Sequence, residues 1–284
     1  YKVTEKDFIN NLEDIFAAMD QPTIDGINSY FISKCAHEEG LKAVLSGLGG
    51  DELFGGYPSF KRIEKCWFLR NVPGNAKKLF GLFEYFQNDK LNKLSFLSID
   101  NPLSFYLLFR GLFPVRTVAK ILDVEKKQIH DALEKLYFKE NYDMGKYNFI
   151  SYLESNLYMQ NQLLKDTDYM SMWHSVEVRV PFLDKEFLNF VYSIDEDIKF
   201  NKKVPKGLLI KSFEDLIPKE IISRKKQGFG FPFQKWMRDN IDYISDFAQI
   251  DGNHAIKSVL NKFQCNSLHW SRFWSLVVLS QYKR

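Results

Sequence analysis

Residues 46–57 read Ser-Gly-Leu-Gly-Gly-Asp-Glu-Leu-Phe-Gly-Gly-Tyr and follow a short apolar run, Ala43-Val44-Leu45. Glycine tolerates positive φ and lets a ligand or another backbone approach closely. Loops of this kind often cradle phosphates, yet this one has no lysine and carries two adjacent carboxylates, Asp51 and Glu52. The dinucleotide fingerprint G-x-G-x-x-G fails because Glu52 stands where its third glycine belongs, and a P-loop fails for want of Gly-Lys-Ser/Thr. Bare carboxylates repel phosphates unless a divalent cation lies between them. Mg2+ is held by one or two carboxylates together with substrate phosphate oxygens. Asp51, with Glu52 as the second candidate, therefore reads as a magnesium ligand beside a nucleotide or pyrophosphate. Leu45, Ser46 and Gly47 end a strand, where α/β folds place ligands, so they are the candidates for nucleotide contact. The alternative is a glycine-rich turn whose Asp-Glu pair opens a helix and sits well at its positive end.

The elements that must position this loop follow from periodicity. Phe8, Leu12, Ile15 and Phe16 predict an amphipathic helix over roughly 4–19, broken at Gln21-Pro22. A second helix is expected from about 27 to 39, stopping near Gly40. Ala43-Val44-Leu45 is short and wholly apolar, as a buried parallel strand would be. Helix, buried strand, then glycine-rich loop is the tail end of an α/β unit. Residues 60–160 read as successive helical segments punctuated by Pro73-Gly74, Asn101-Pro102 and Pro114. Later helices are expected near 185–193, between Pro205 and Pro218, and from His269 to Tyr282. Glu177 and Arg179 alternate on an extended segment ending at Pro181, and Gly228–Pro232 must be loop. Strands are few, so most of the sheet is expected outside these residues.

Composition narrows the class. The chain has 284 residues, 45% of them hydrophobic, with 26 Phe and 14 Tyr, which predicts a packed, aromatic-rich helical protein. A net charge of +3 from scattered basic residues argues against a nucleic-acid partner. Cys35, Cys66 and Cys265 form no zinc or CxxC spacing, which points to a reduced, cytoplasmic protein. The longest apolar run, Leu276-Val277-Val278-Leu279, is far short of a membrane span. The opening Tyr1-Lys2-Val3 reads as a piece of something longer.

Three ordered blocks carry a resemblance to a known family. The loop matches S-G-x-G-x-D-E-L-F-G-G-Y. Residues 168–184 match D-x-x-S-M-x-x-S-x-E-x-R-x-P-F-L-D, and residues 224–232 are similar to R-x-K-x-G-F-x-x-P. Together they resemble the synthetase domain of glutamine-dependent asparagine synthetases. The resemblance implies an adenine nucleotide alpha hydrolase-like α/β domain. Residues 1–57 would be the remnant of its nucleotide-binding core and residues 58–284 its mainly helical part.

It further implies ATP-Mg2+ chemistry on aspartate: an aspartyl-AMP and pyrophosphate form, then ammonia derived from glutamine displaces AMP. Asp51 would carry the metal. Lys226 would stabilise pyrophosphate or the acyl-transfer transition state, against the plain reading of Arg224-Lys225-Lys226 as a solvated basic run. Glu52 would assist catalysis, and Gly49, Glu177, Arg179 and Asp168 would frame the amino-acid substrate. Glu177 and Arg179 could instead be a buried ion pair, and Asp168 a helix cap or a partner of Lys165. The Gly228–Phe231 stretch is a flap or a core anchor, and His174 beside Trp173 is packing. Homodimerisation is an open option. Two departures stand out. Leu48 replaces the acid expected in the third place of the loop, which brings in a sibling amidotransferase acting on another carboxylate. The family's pyrophosphate-binding S-G-G-x-D-S loop and its glutaminase cysteine are not found in residues 1–284, so these residues alone are expected to be inactive; a non-catalytic helical scaffold is the third reading.

Overall fold

In the computed structural model, residues 1–284 are described except 87, 100–101, 136–143, 201–203, 225–227, 229 and 283–284. The chain forms two compact units, one of residues 1–61 and 145–233 and the other of residues 62–144 and 234–284. Residues 145–233 thus return to the unit that holds the glycine loop, across the boundary drawn at 57/58.

The first unit is helical around a short parallel strand pair, as the α/β reading with few strands requires. The expected N-terminal helix is two, α1 (Glu5–Asn10) and α2 (Leu12–Ala18), interrupted at Asn11. Thr4 and Asp7 cap α1 reciprocally. Helix α3 (Ile27–Glu38) follows and ends before Gly40, whose φ of 75° suits the turn into the strand. Strand β1 (Ala43–Leu45) then leads into the loop and the short helix α4 (Gly50–Phe54). Helix α5 (Lys146–Leu153), a π-helical stretch (Glu154–Leu163) and helix α6 (Leu164–Trp173) make one continuous helical run.

The step from α6 into strand β2 (Glu177–Arg179) uses Ser175 at φ 56°, with Val176 N–H bonded to the Ser171 carbonyl. Strands β1 and β2 pair in parallel, Ala43 opposite Glu177, Val44 opposite Val178 and Leu45 opposite Arg179. Burial differs from expectation. Leu45 is 76% exposed, because β2 is the strand that pairs with β1 among the described residues and no described layer covers that side chain. Beyond β2, Pro181–Leu183 forms a single 3-10 turn, and Asp184 caps helix α7 (Lys185–Ser193) by accepting from the amides of Glu186 and Phe187.

Phe8, Leu12, Ile15, Tyr30 and Phe31 are all buried, and Phe231 and Phe233 stack edge-on against Phe31 and Phe8. Phe231, at the end of the third sequence block, is therefore an aromatic anchor, whereas Phe229 lies outside the described residues. His174 packs edge-on against Tyr30, ring centroids 4.6 Å apart, and burial lowers its pKa, in keeping with the packing reading.

The second unit is helical. Phe96, Ile99 and Val115 centre one core cluster, with Leu107, Ile129 and Leu133 packed on it. Prolines punctuate it as read: Pro114 precedes the helix Val115–Leu122, and Pro102 starts the helix Pro102–Arg110. In the helical pair His254–Gln264 and Trp270–Tyr282, Phe263 and Phe273 stack at 4.5 Å.

Asp166, 4% exposed on α6, accepts a 2.6 Å hydrogen bond from the Thr23 hydroxyl. Burial pushes its carboxyl up to about 7, the Thr23 bond opposes this, and the charge of Asp25 adds to the rise. The native state then holds a proton that the unfolded chain has already lost, so stability falls as pH rises from about 4 to about 7. Asp166→Asn keeps an acceptor for Thr23 without the charge. Its thermal midpoint is expected to exceed that of the unaltered protein by several degrees near pH 8 and by clearly less near pH 5, measured by differential scanning calorimetry. An equal gain at both pH values would refute the assignment.

Candidate active site

The glycine loop leaves the end of β1 beside the end of β2. Ser46 donates its amide to the Arg179 carbonyl at 2.8 Å, extending the strand pairing by one rung. The Ser46 hydroxyl accepts from the Leu48 amide at 3.4 Å, and Gly50 N–H bonds to the Gly47 carbonyl. Gly47 is exposed, while Gly49 and Gly50 are buried against the turn after β2. Gly49 has φ 94°, and a Cβ there would lie 2.6 Å from Leu183 Cδ2. Both facts demand glycine. The first and second sequence blocks are therefore in direct contact, the loop of one resting on Phe182 and Leu183 of the other.

Asp51 and Glu52 occupy the first turn of α4, so the helix-start reading is also realised. Their side chains part company. The Asp51 carboxylate is a quarter exposed and lies 2.9 Å from the ammonium of Lys206. Lys206 has φ 57° at the start of helix α8 (Gly207–Ser212), and its amide donates to the Phe54 carbonyl, so both its backbone and its side chain are tied to α4. Gly56 is enclosed by this pair. A Cβ on it would collide with Asp51 Oδ1 and sit 2.6 Å from Lys206 Cε.

Glu52 points the other way and is 1% exposed. It accepts a 2.7 Å bond from the Tyr57 hydroxyl, while its own carbonyl accepts from Ser151 on α5 at 2.8 Å. Nearby, the buried Glu154 accepts from Ser59 at 2.5 Å. Burial raises the Glu52 pKa, the Tyr57 bond opposes this, and the charges of Asp51 and Glu154 add to the rise. This polar layer clamps the loop onto the α5–π–α6 helix from behind. Tyr57 stacks edge-on with Tyr158 at 5.9 Å, and Tyr158 bonds in turn to Asp25. A π-helical stretch often marks a functional site, and here it carries Glu154 and Tyr158 to the rear of the loop.

The remaining sequence candidates are dispersed around this centre. Glu177 and Arg179 form an ion pair, Nε to Oε1 2.9 Å, but both side chains are more than 60% exposed. The pair exists; its burial does not, because alternate residues of β2 face the uncovered side shared with Leu45. Asp168 is exposed and mid-helix on α6, so it caps nothing. Lys226 falls outside the described residues. Lys206, read from sequence only as part of a Pro-Lys-Gly break, is the residue that sequence reasoning missed; no spacing rule connects it to Asp51. Among the described residues no cluster of three potential ligands surrounds a metal position. One partly exposed carboxylate with a cation already drawn to it still fits a metal whose other ligands come from phosphate and water.

The asparagine synthase family profile matches residues 1–270. The chain belongs to that family. Asparagine synthetase [glutamine-hydrolyzing] 1 of Bacillus subtilis is 28% identical over 256 residues, covering 84% of this chain and 39% of the relative. Asparagine synthetase [glutamine-hydrolyzing] 3 of the same organism is 28% identical over 233 residues, 80% of this chain and 33% of the relative. The Bos taurus asparagine synthetase [glutamine-hydrolyzing] reaches 41% identity over 101 residues, a third of this chain and 18% of the relative. The chain thus spans well under half the length of these family members. No helix among the described residues is long and apolar enough to cross a membrane.

The crowding at Gly56 generates a prediction. Gly56→Ala must displace the Asp51–Lys206 pair, an overpacking cost of about 1–3 kcal/mol. The expected drop in thermal midpoint is about 2–6 °C by scanning fluorimetry. Gly228→Ala, whose Cβ would meet open space, should leave the midpoint in place. Equal midpoints for the two variants would contradict the loop geometry.

Proposed function

We propose that this chain carries part of the synthetase site of an ATP-dependent amide-forming ligase that converts aspartate to asparagine. The observation that carries the reading is the Asp51 carboxylate paired at 2.9 Å with Lys206 at the carboxyl end of a parallel strand pair. Carboxylate and ammonium side by side suit a site where a metal-bound triphosphate must be gripped from both signs of charge. When bound, Mg2+ neutralises phosphate charge, and Asp51 is the residue that would hold it.

The chemistry runs in two displacements. A side-chain carboxylate oxygen of aspartate attacks the α-phosphorus of ATP, and the bond to pyrophosphate breaks. Ammonia, released from glutamine elsewhere in the full protein, then attacks the acyl carbon; AMP leaves and a proton is lost. In this scheme the loop backbone at Leu45, Ser46 and Gly47 faces the nucleotide. Lys206 and Lys226 meet the departing pyrophosphate. Gly49 serves the substrate end by seating the loop on Leu183, while Glu177, Arg179 and Asp168 lie toward the amino-acid end. Glu52 acts through Tyr57 by fixing the direction of α4, which its burial supports.

Leu48 favours a second reading, a sibling enzyme acting on another carboxylate. A leucine side chain in the third place of the loop cannot accept a proton from ammonia.

Asp51→Asn in the full-length protein is expected to lower pyrophosphate release by about 100-fold or more, the scale of losing one preorganised charge contact. Unchanged release would eliminate its role. Full-length protein supplied with ATP-Mg2+, aspartate and ammonia should yield AMP and asparagine in equal amounts. Pyrophosphate release confined to another acid would select the sibling instead.

A further inference from the structure

In the second unit, residues Lys78–Tyr85 form a 3-10 helix of eight residues. With three residues per turn, side chains at i and i+3 eclipse, so the segment carries three straight rows. Phe80, Phe83 and the capping Phe86 make one, their rings stacked at 5.9 and 5.3 Å. Lys78, Gly81 and Glu84 make another. Glu84 is turned inward, its carboxylate 2.5 Å from Lys126 Nζ and its side chain 12% exposed. Leu79, Leu82 and Tyr85 make the third, and all three face water, at 65%, 62% and 63% exposure. Single exposed apolar residues are ordinary, but an aligned row of three marks an interaction surface.

Charge indicates the kind of surface it meets. Residues 62–144 and 234–284 hold 21 Lys and Arg against 14 Asp and Glu, a formal charge of +7. The first unit, with 18 against 22, carries −4. Such asymmetry between units points to an anionic partner for the second. At the row itself, Lys78 is exposed directly before Leu79, and the Arg116 guanidinium stands 4.8 Å from the centre of the Tyr85 ring. Cations thus stand at both ends of the apolar row, while the one carboxylate of the segment is withdrawn from it. A nucleic-acid backbone would leave the two leucines in water. A lipid interface accepts all three parts at once: leucines among the acyl chains, a tyrosine at headgroup level, and cations against anionic headgroups.

We propose that the row Leu79, Leu82 and Tyr85 docks this protein on an anionic lipid surface, lying in the interface and not crossing it. The surface belongs to the second unit alone and is independent of the reading of the glycine loop.

Co-sedimentation of the full-length protein with vesicles of phosphatidylcholine and phosphatidylglycerol in equal parts tests it, with phosphatidylcholine vesicles as the control. Pelleting with the anionic vesicles alone is expected, and high salt should release it by screening exposed charges. Leu79→Ser and Leu82→Ser should each weaken binding about tenfold, the scale of one leucine kept out of an apolar medium. Both positions are exposed, so the thermal midpoints of these variants should hold. Lys78→Glu leaves the apolar row in place and should weaken binding about fivefold or more. No pelleting, or equal pelleting with both kinds of vesicle, would overturn the proposal. So would full binding by the variant carrying both serines, or binding indifferent to both salt and Lys78→Glu. A dimer that the serine variants dissolve in sedimentation velocity, with no vesicle binding, would assign the row to a second copy of the chain instead. Lowered midpoints in both serine variants would show the row to be covered within the full-length protein, which also refutes it.

Discussion

A parallel rung between Ser46 and Arg179 joins two segments that are distant in sequence, and the candidate site depends on it. Because the strands run in parallel, both leave the pairing at the same end. The glycine loop and the Pro181–Leu183 turn therefore emerge side by side and must pack on each other. Gly49 is where they meet, at a positive φ and with Leu183 filling the space of a side chain. From that contact α4 takes its direction, and with it the two carboxylates.

Opposite fates for Asp51 and Glu52 follow from helical geometry. Adjacent residues on a helix point about 100° apart, so one side chain can face the opening while its neighbour faces the core. Asp51 meets Lys206 over Gly56, where any other residue would push the pair apart. Glu52 meets Tyr57, and its carbonyl meets Ser151. A buried carboxylate with a partner is strongly position-specific, because moving it strands a charge or a hydroxyl away from water. The network behind the loop thus holds the front of the loop still.

The second unit shows the converse case, in which a polar group has no internal match. Most buried hydroxyls in proteins are paired; among the described residues that of Ser95 is not.

Local elements were legible in the sequence wherever punctuation and periodicity are local. Helix α3, the strand at Ala43–Leu45, helix α7 and the C-terminal helix lie within a residue of their expected bounds, set by glycine, proline and apolar spacing. The three motif blocks likewise identified the family from residue types and order alone. What required tertiary structure was every relation between distant segments. The exposure of Leu45 depends on what covers a strand, not on its own composition. The Glu177–Arg179 pair was readable from its spacing, but its solvent exposure was not. Lys206 came to Asp51 only through the turn that ties it to Phe54, and Glu154 to Ser59 only because a long helix passes behind the loop. Sequence by itself determined which residues are chemically able to act and where the chain must bend. Which of two neighbouring carboxylates faces the opening was decided by packing, since burial is a property of the assembled neighbours and not of the residue.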